Sequence, residues 1–84
     1  MLNLYHENAI REQRKEIERR IAEETTQLEM TRAEYKDGKP DRQGSERNYQ
    51  RYLDRVERLK NEINAREMSL QALQRELEQM PEIK

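Results

Sequence analysis

The sequence predicts an all-α protein: two long helices in an antiparallel coiled-coil hairpin, which we expect to dimerise into a four-helix bundle. Three observations support this prediction. Strong helix formers (Glu, Arg, Gln, Leu and Ala) dominate the composition. Turn-forming residues are concentrated in one central segment. The segment after it carries apolar residues at an unbroken heptad spacing.

The composition limits the architecture to one small domain. The chain has 84 residues, of which 32% are hydrophobic and 42% are charged, too few apolar groups for a layered globular core. The 17 positive and 18 negative side chains nearly cancel, and the apolar residues are regularly spaced, so the chain differs from a disordered one. Long helices are compatible with both the low apolar content and the regular spacing of the apolar residues.

The turn and the helix ends are predicted from Gly, Pro and Ser. Gly38 can adopt the left-handed conformation that ends a helix, and Pro40 cannot continue one. Ser45 is a suitable N-cap for the second helix, which Pro81 ends after Met80. The predicted elements of the single domain 1–84 are helix 1 over residues 3–36, a turn over residues 37–44 and helix 2 over residues 45–80.

Helix 2 carries the clearest pattern in the sequence. Its seam residues are spaced alternately by three and four, and nine of the ten are apolar. This regularity over four heptads predicts a coiled coil with a left-handed supercoil. We expect this seam to contact a second copy or a partner helix: Tyr49, Tyr52, Val56, Leu59, Ile63, Arg66, Leu70, Leu73, Leu77 and Met80.

Helix 1 carries a weaker seam than helix 2. The same register includes three polar side chains, Arg14, Glu24 and Thr31. Its apolar members are Ile10, Ile17, Ile21, Leu28 and Tyr35. Helix 1 therefore covers the seam of helix 2 only in part, and a lone hairpin is expected to be marginally stable.

The charge distribution favours antiparallel packing. Residues 42–60 carry a net charge of +3 and residues 61–82 a net charge of −3. On helix 1, residues 1–20 carry +1 and residues 21–36 carry −2. Folding at the turn places the −2 half beside the +3 half, whereas parallel pairing of two copies of helix 2 would align like charges.

Two registers of the hairpin satisfy the apolar pattern. The first sets Ile21 opposite Leu59 and brings Arg14 beside Arg66. The second, seven residues away, sets Leu28 opposite Leu59 and separates the two arginines. The length of the turn favours the first register, and the choice stays open.

Arg14 and Arg66 interrupt otherwise apolar seams and have two interpretations. A buried polar residue can specify register or oligomeric state at a cost in stability. Alternatively, the long side chain extends to the edge of the seam, where the Arg66 guanidinium would pair with Glu62 or Glu24.

A stripe of arginines is a candidate surface for an anionic partner. Its members fall within about 80° of one another on a helix of 100° per residue. Such a row can bind phosphates or an acidic protein. In the alternative interpretation the side chains cover the seam and their charges meet acidic residues of helix 1. The stripe comprises Arg47, Arg51, Arg55 and Arg58.

The sequence offers little for catalysis or cofactor binding. It has no Cys, one His (His6), no metal-binding motif and no glycine-rich phosphate loop. We therefore expect a non-enzymatic protein with no catalytic residue, no metal, no cofactor and no small-molecule substrate. No apolar run approaches the ~20 residues that span a bilayer, and no signal peptide is apparent, so the expected location is the cytoplasm, away from membranes.

Three classes of function remain. The first is a homo-oligomeric adaptor, scaffold or regulator that binds itself or another protein helix. The second is a nucleic-acid-associated bundle that uses the arginine stripe. The third is an inhibitor or chaperone that shields a partner helix. In outline the layout resembles ROP-type hairpins, and this resemblance implies a four-helix bundle but no particular function.

Overall fold

The protein is a hairpin of two long helices that pack antiparallel, as predicted. The structure, a computed structural model, describes residues 4–44 and 48–81. Helix α1 spans Leu4–Tyr35, a single 3₁₀ turn spans Lys36–Gly38, and helix α2 spans Tyr49–Gln79. The molecule measures 64 × 18 × 15 Å, so it is a rod about two helices wide.

Helix α2 begins and ends at residues with clear capping roles. Asn48 is the N-cap, and its side-chain oxygen accepts a hydrogen bond of 2.8 Å from the backbone N–H of Gln50. The predicted cap, Ser45, lies outside the described residues. At the other end Met80 is extended (φ −77°, ψ 143°), the conformation that a following proline favours, and Pro81 follows it.

The turn after α1 contains three consecutive residues with positive φ. These are Lys36 (47°), Asp37 (53°) and Gly38 (90°). The sequence indicated left-handed backbone only at Gly38; the two residues before it also adopt it, at a cost of about 1–2 kcal/mol per L-residue. The N–H of Lys39 donates to the carbonyl of Lys36 over 3.1 Å, and this bond closes the turn.

The core is a thin layer between the two helices. Ile17 and Leu28 of α1 and Leu59 and Ile63 of α2 are buried, each 9% exposed or less. Thr31 is also buried, and its hydroxyl donates to the carbonyl of Gln27 in its own helix over 2.9 Å. This bond satisfies the hydroxyl, so a polar residue can occupy the seam without an unpaired group.

The remaining seam residues differ in burial along the rod. On α1, Ile10, Ile21 and Tyr35 are half-buried. At the start of α2, Tyr49 is 59% exposed and lies outside the packed layer. The other seam residues of α2 are all half-buried: Tyr52, Val56, Arg66, Leu70, Leu73, Leu77 and Met80.

Ion pairs across the hairpin define the register. Arg66 Nη1 lies 3.1 Å from Glu24 Oε1, and Arg55 Nη1 lies 3.4 Å from Glu34 Oε1. In the first predicted register, position 66 lies opposite Arg14, ten residues from Glu24. In the second it lies opposite Ile21, only three residues, or about one turn, from Glu24. These two pairs exclude the first register, which the turn length favoured, and lie within three residues of the second. The pair between Arg32 and Glu67, which also connects the helices, lies twelve residues from the second register.

The pairing of Glu24 with Arg66 gives a direct test of the register. Replacing Glu24 with Lys places two cations side by side at a partly buried position, and we expect the free energy of unfolding to fall by about 1–2 kcal/mol. Adding Arg66→Glu should recover part of this loss, because the pair between the helices is restored with its charges exchanged, while the new carboxylate lies one turn from Glu62. Urea denaturation followed by circular dichroism measures both effects. Glu29→Lys, an exposed site on the same helix, is the control, and the register is wrong if the double variant is no more stable than Glu24→Lys alone.

Candidate interaction surfaces

The Arg66 side chain is held by carboxylates from both helices. Besides Glu24 of α1, its Nε and Nη2 atoms lie 3.1 and 2.9 Å from Glu62 Oε1 on its own helix. The hydrogen bonds that Arg66 donates to Glu62 and, second in effect, to Glu24 raise the pKa of its guanidinium. The side chain is 27% exposed, so the charge reaches the edge of the apolar seam while its stem packs against it.

Arg14 is the other arginine in the predicted seams. It is half-buried, and its Nε lies 3.5 Å from Glu18 Oε1, one turn along the same helix. The structure therefore does not bring Arg14 and Arg66 together. Arg14 pairs with a carboxylate of its own helix, whereas Arg66 pairs with Glu24 of the other helix and so connects the two.

Tyr52 and Arg55 tie the turn to the start of α2. The hydroxyl of Tyr52 donates to the carbonyl of Pro40 over 2.8 Å. The Arg55 guanidinium donates to the carbonyl of Asp41, pairs with Glu34 and lies 5.8 Å from the centre of the Tyr52 ring. Because the two side chains project from one face of α2, one turn apart, they hold consecutive carbonyls of the turn.

The predicted arginine stripe is divided in the structure. Arg55 is 7% exposed and points into the hairpin, whereas Arg51 and Arg58 are exposed. Arg47 lies outside the described residues. For Arg55 the structure agrees with the alternative interpretation, in which the charge meets an acidic residue of helix 1. Arg51 and Arg58 lie two turns apart on α2, and Arg55, which lies between them in the sequence, does not join them at the surface.

An aromatic cluster lies on α2 next to the turn. The rings of Tyr49 and Tyr52 stack with their centres 5.8 Å apart, and the Arg42 guanidinium lies 5.6 Å from the centre of the Tyr49 ring. With Arg55 on the other ring, two cations flank two aromatic rings. Tyr49 remains 59% exposed, and the neighbouring Leu53 is 40% exposed. This end of α2 therefore presents apolar area to solvent.

At the opposite end of the rod the two helices leave the apolar seam partly uncovered. Leu70, Leu73, Leu77 and Met80 are all half-buried, whereas Leu59 and Ile63 nearer the turn are buried. A shallow groove here exposes parts of Ile17 and Met80 between polar side chains. Those polar residues are Glu12, Gln13, Glu16, Arg20 and Glu76.

The described residues hold no cluster typical of a metal site. No group of three or more His, Asp or Glu side chains among them is placed to hold a metal ion. His6 lies in the first turn of α1 and is exposed. Neither helix, over its described length, is long and apolar enough to cross a membrane.

Two surface features were not identified from the sequence. Leu53 does not belong to the predicted seam, yet it is an exposed apolar residue one turn from Tyr49. The ion pair between Arg32 and Glu67 also connects the helices. Leu53 and Glu67 belong to a second set of α2 residues that are spaced alternately by three and four, and this spacing is visible in the sequence.

The comparisons with known proteins give no family for this chain. No family model matches the sequence, and no curated protein or solved structure is significantly similar to it. The surfaces described above are therefore the basis for any functional argument.

Arg55 is predicted to stabilise the hairpin rather than to serve a ligand. Replacing it with Gln removes the charged bonds to Glu34 and to the Asp41 carbonyl, and we expect a loss of about 2 kcal/mol in the free energy of unfolding. Arg58→Gln removes an exposed charge from the same helix and should change stability by only about 0.5 kcal/mol or less. Urea denaturation of both variants tests the difference; equal stabilities would contradict the structural role.

Acid should weaken α1 through Glu16. Hydrogen bonds from Arg19 and then from Arg20 lower the pKa of the Glu16 carboxyl from 4.5 to about 2. A group with a lowered folded-state pKa contributes stability above its unfolded pKa, and this contribution is lost as pH falls towards the folded value. We therefore expect Glu16→Gln to lose less helix than the native chain between pH 4.5 and 2, measured by circular dichroism. Identical acid titrations would exclude the contribution of Glu16.

Proposed function

We propose that this protein is a small non-enzymatic interaction module that acts as a homodimer, in which two hairpins combine into a four-helix bundle. The observation that carries the proposal is the uneven burial of the α2 seam. In one hairpin the apolar repeat continues to Met80, but the residues beyond Arg66 stay half-exposed. A repeat of this regularity, left partly in contact with water, favours a further helix as its partner.

The size of the core supports the same proposal. The buried apolar residues of the described chain are Ile17, Leu28, Leu59 and Ile63. A chain of this length with so thin a core gains little from burial, and small domains of this kind are commonly stabilised by oligomerisation. Association of two hairpins would cover the half-exposed ends of both seams.

The two other classes of function have weaker support. A nucleic-acid interface would need the arginine stripe, and Arg55, one of its four members, is buried and bonded to Glu34 and Asp41. Capture of a foreign helix would use the same half-exposed seam residues as self-association. These two functional classes differ in oligomeric state, because a chaperone or inhibitor of this kind would be monomeric when isolated.

The oligomeric state tests the proposal directly. Sedimentation equilibrium over about a hundredfold range of concentration should show a dimer that dissociates on dilution. Leu70→Ala should weaken the dimer, with a cost of about 2–5 kcal/mol if the side chain is buried between hairpins. Helix content should fall together with dissociation, because a small dimer often has no stable folded monomer. Met30→Ala, at a residue 61% exposed on α1, is the matched control; a fully helical native monomer at high concentration would refute the proposal.

A further inference from the structure

A second heptad-spaced face runs along α2 beside the seam that contacts α1. It shares Val56, Ile63 and Leu70 with that seam, and it adds residues one position further round the helix. The residues of this lateral face are spaced 3, 4, 3, 4 and 3 apart: Leu53, Val56, Lys60, Ile63, Glu67 and Leu70. A helix that packs against two neighbours in a bundle carries a wider contact face than one that packs against a single neighbour. Here the added residues are one apolar side chain, Leu53, and two charged ones, Lys60 and Glu67.

Helix α1 leaves two of the six residues of the lateral face exposed. Leu53 is 40% exposed, Lys60 is exposed, and Tyr49, one turn before Leu53, is 59% exposed. Glu67 is half-buried, and one of its carboxylate oxygens accepts a hydrogen bond from Arg32 of α1. The face therefore combines exposed apolar side chains at one end with a cation and an anion seven residues apart in its middle.

We propose that the lateral face of α2 packs antiparallel against the same face of a second copy, about a two-fold axis next to Ile63 and Asn64. This inference rests on the proposed function and names the surface and orientation of the dimer. Positions at equal distances on either side of the axis meet in such a pair. Lys60 of each copy then lies opposite Glu67 of the other, and the two-fold axis makes this ion pair twice.

The apolar ends of the face are also complementary in this arrangement. The exposed Tyr49 of one copy reaches the level of Leu77 of the other, which continues the heptad position of Ile63 and Leu70 and is half-buried in the single hairpin. Each copy would thus cover part of the uncovered end of its neighbour.

Charge complementarity selects the second copy in the antiparallel orientation. The half of the chain over residues 42–60 carries +3, and the half over residues 61–82 carries −3. Antiparallel pairing sets the positive half of each copy against the negative half of the other, whereas parallel pairing aligns like charges along the whole length. Head-to-head contact of the two open ends alone would bring the two negative halves together.

Charge reversal at Lys60 and Glu67 tests the inference. In Lys60→Glu both symmetric pairs become Glu against Glu, and in Glu67→Lys both become Lys against Lys, so each variant alone should dimerise at least about tenfold more weakly than the native chain. An equimolar mixture should bind more tightly than either variant alone, because a heterodimer of the two variants restores both opposite-charge contacts between the copies, although the contact of residue 67 with Arg32 stays lost in one of them. Sedimentation equilibrium at low ionic strength measures the three dissociation constants, and added salt should reduce the differences.

Arg58→Glu is the control: it changes the net charge by the same amount as Lys60→Glu, but on the exposed side of α2 away from the lateral face. It should leave the dissociation constant within about threefold of the native value. A native dimer that neither Lys60→Glu nor Glu67→Lys weakens would overturn the lateral face, since a parallel pair already has like charges at both positions. That result would leave dimerisation itself intact. A native chain that stays monomeric would overturn both proposals.

Discussion

The pairing of Arg66 with Glu24 is the constraint on which the alignment of the hairpin depends. Both residues interrupt apolar seams, and in isolation each would place a charge at the edge of the core. In the hairpin they lie 3.1 Å apart, with their side chains only 27% and 22% exposed. A partly buried charge is costly without a partner, so a shift of one helix along the other would separate Glu24 from Arg66 and leave Arg66 only its bonds to Glu62 on the same helix.

The turn depends on a second polar arrangement at the start of α2. Tyr52 and Arg55 donate to the carbonyls of Pro40 and Asp41, and so they attach an irregular segment to a regular helix. The segment includes two L-residues in the left-handed region, Lys36 and Asp37. Its conformation is held by contacts from α2, and the buried Arg55 therefore belongs to the architecture of the hairpin.

These polar contacts align the helices, but they do not complete the core. Four buried apolar residues lie towards the middle of the rod, and apolar side chains at both ends of α2 stay partly in contact with water. A dimer built on α2 would use the exposed end of one copy to cover that of the other. The proposed interaction module thus follows from a single imbalance, a long apolar repeat on α2 and a shorter one on α1.

The sequence by itself determined the number of helices, the position of the turn and the antiparallel arrangement, because helix propensity, Gly and Pro placement and heptad spacing act locally. The sequence could not determine the register, since the heptad pattern repeats every seven residues and two alignments bury equivalent apolar layers. Only the tertiary structure excluded the first of them, because in the folded hairpin Arg66 pairs with Glu24 and does not lie beside Arg14. It likewise decided the place of Arg55, which periodicity groups with exposed arginines, because the carbonyl of Asp41 and the carboxylate of Glu34 reach it only after the chain has folded back.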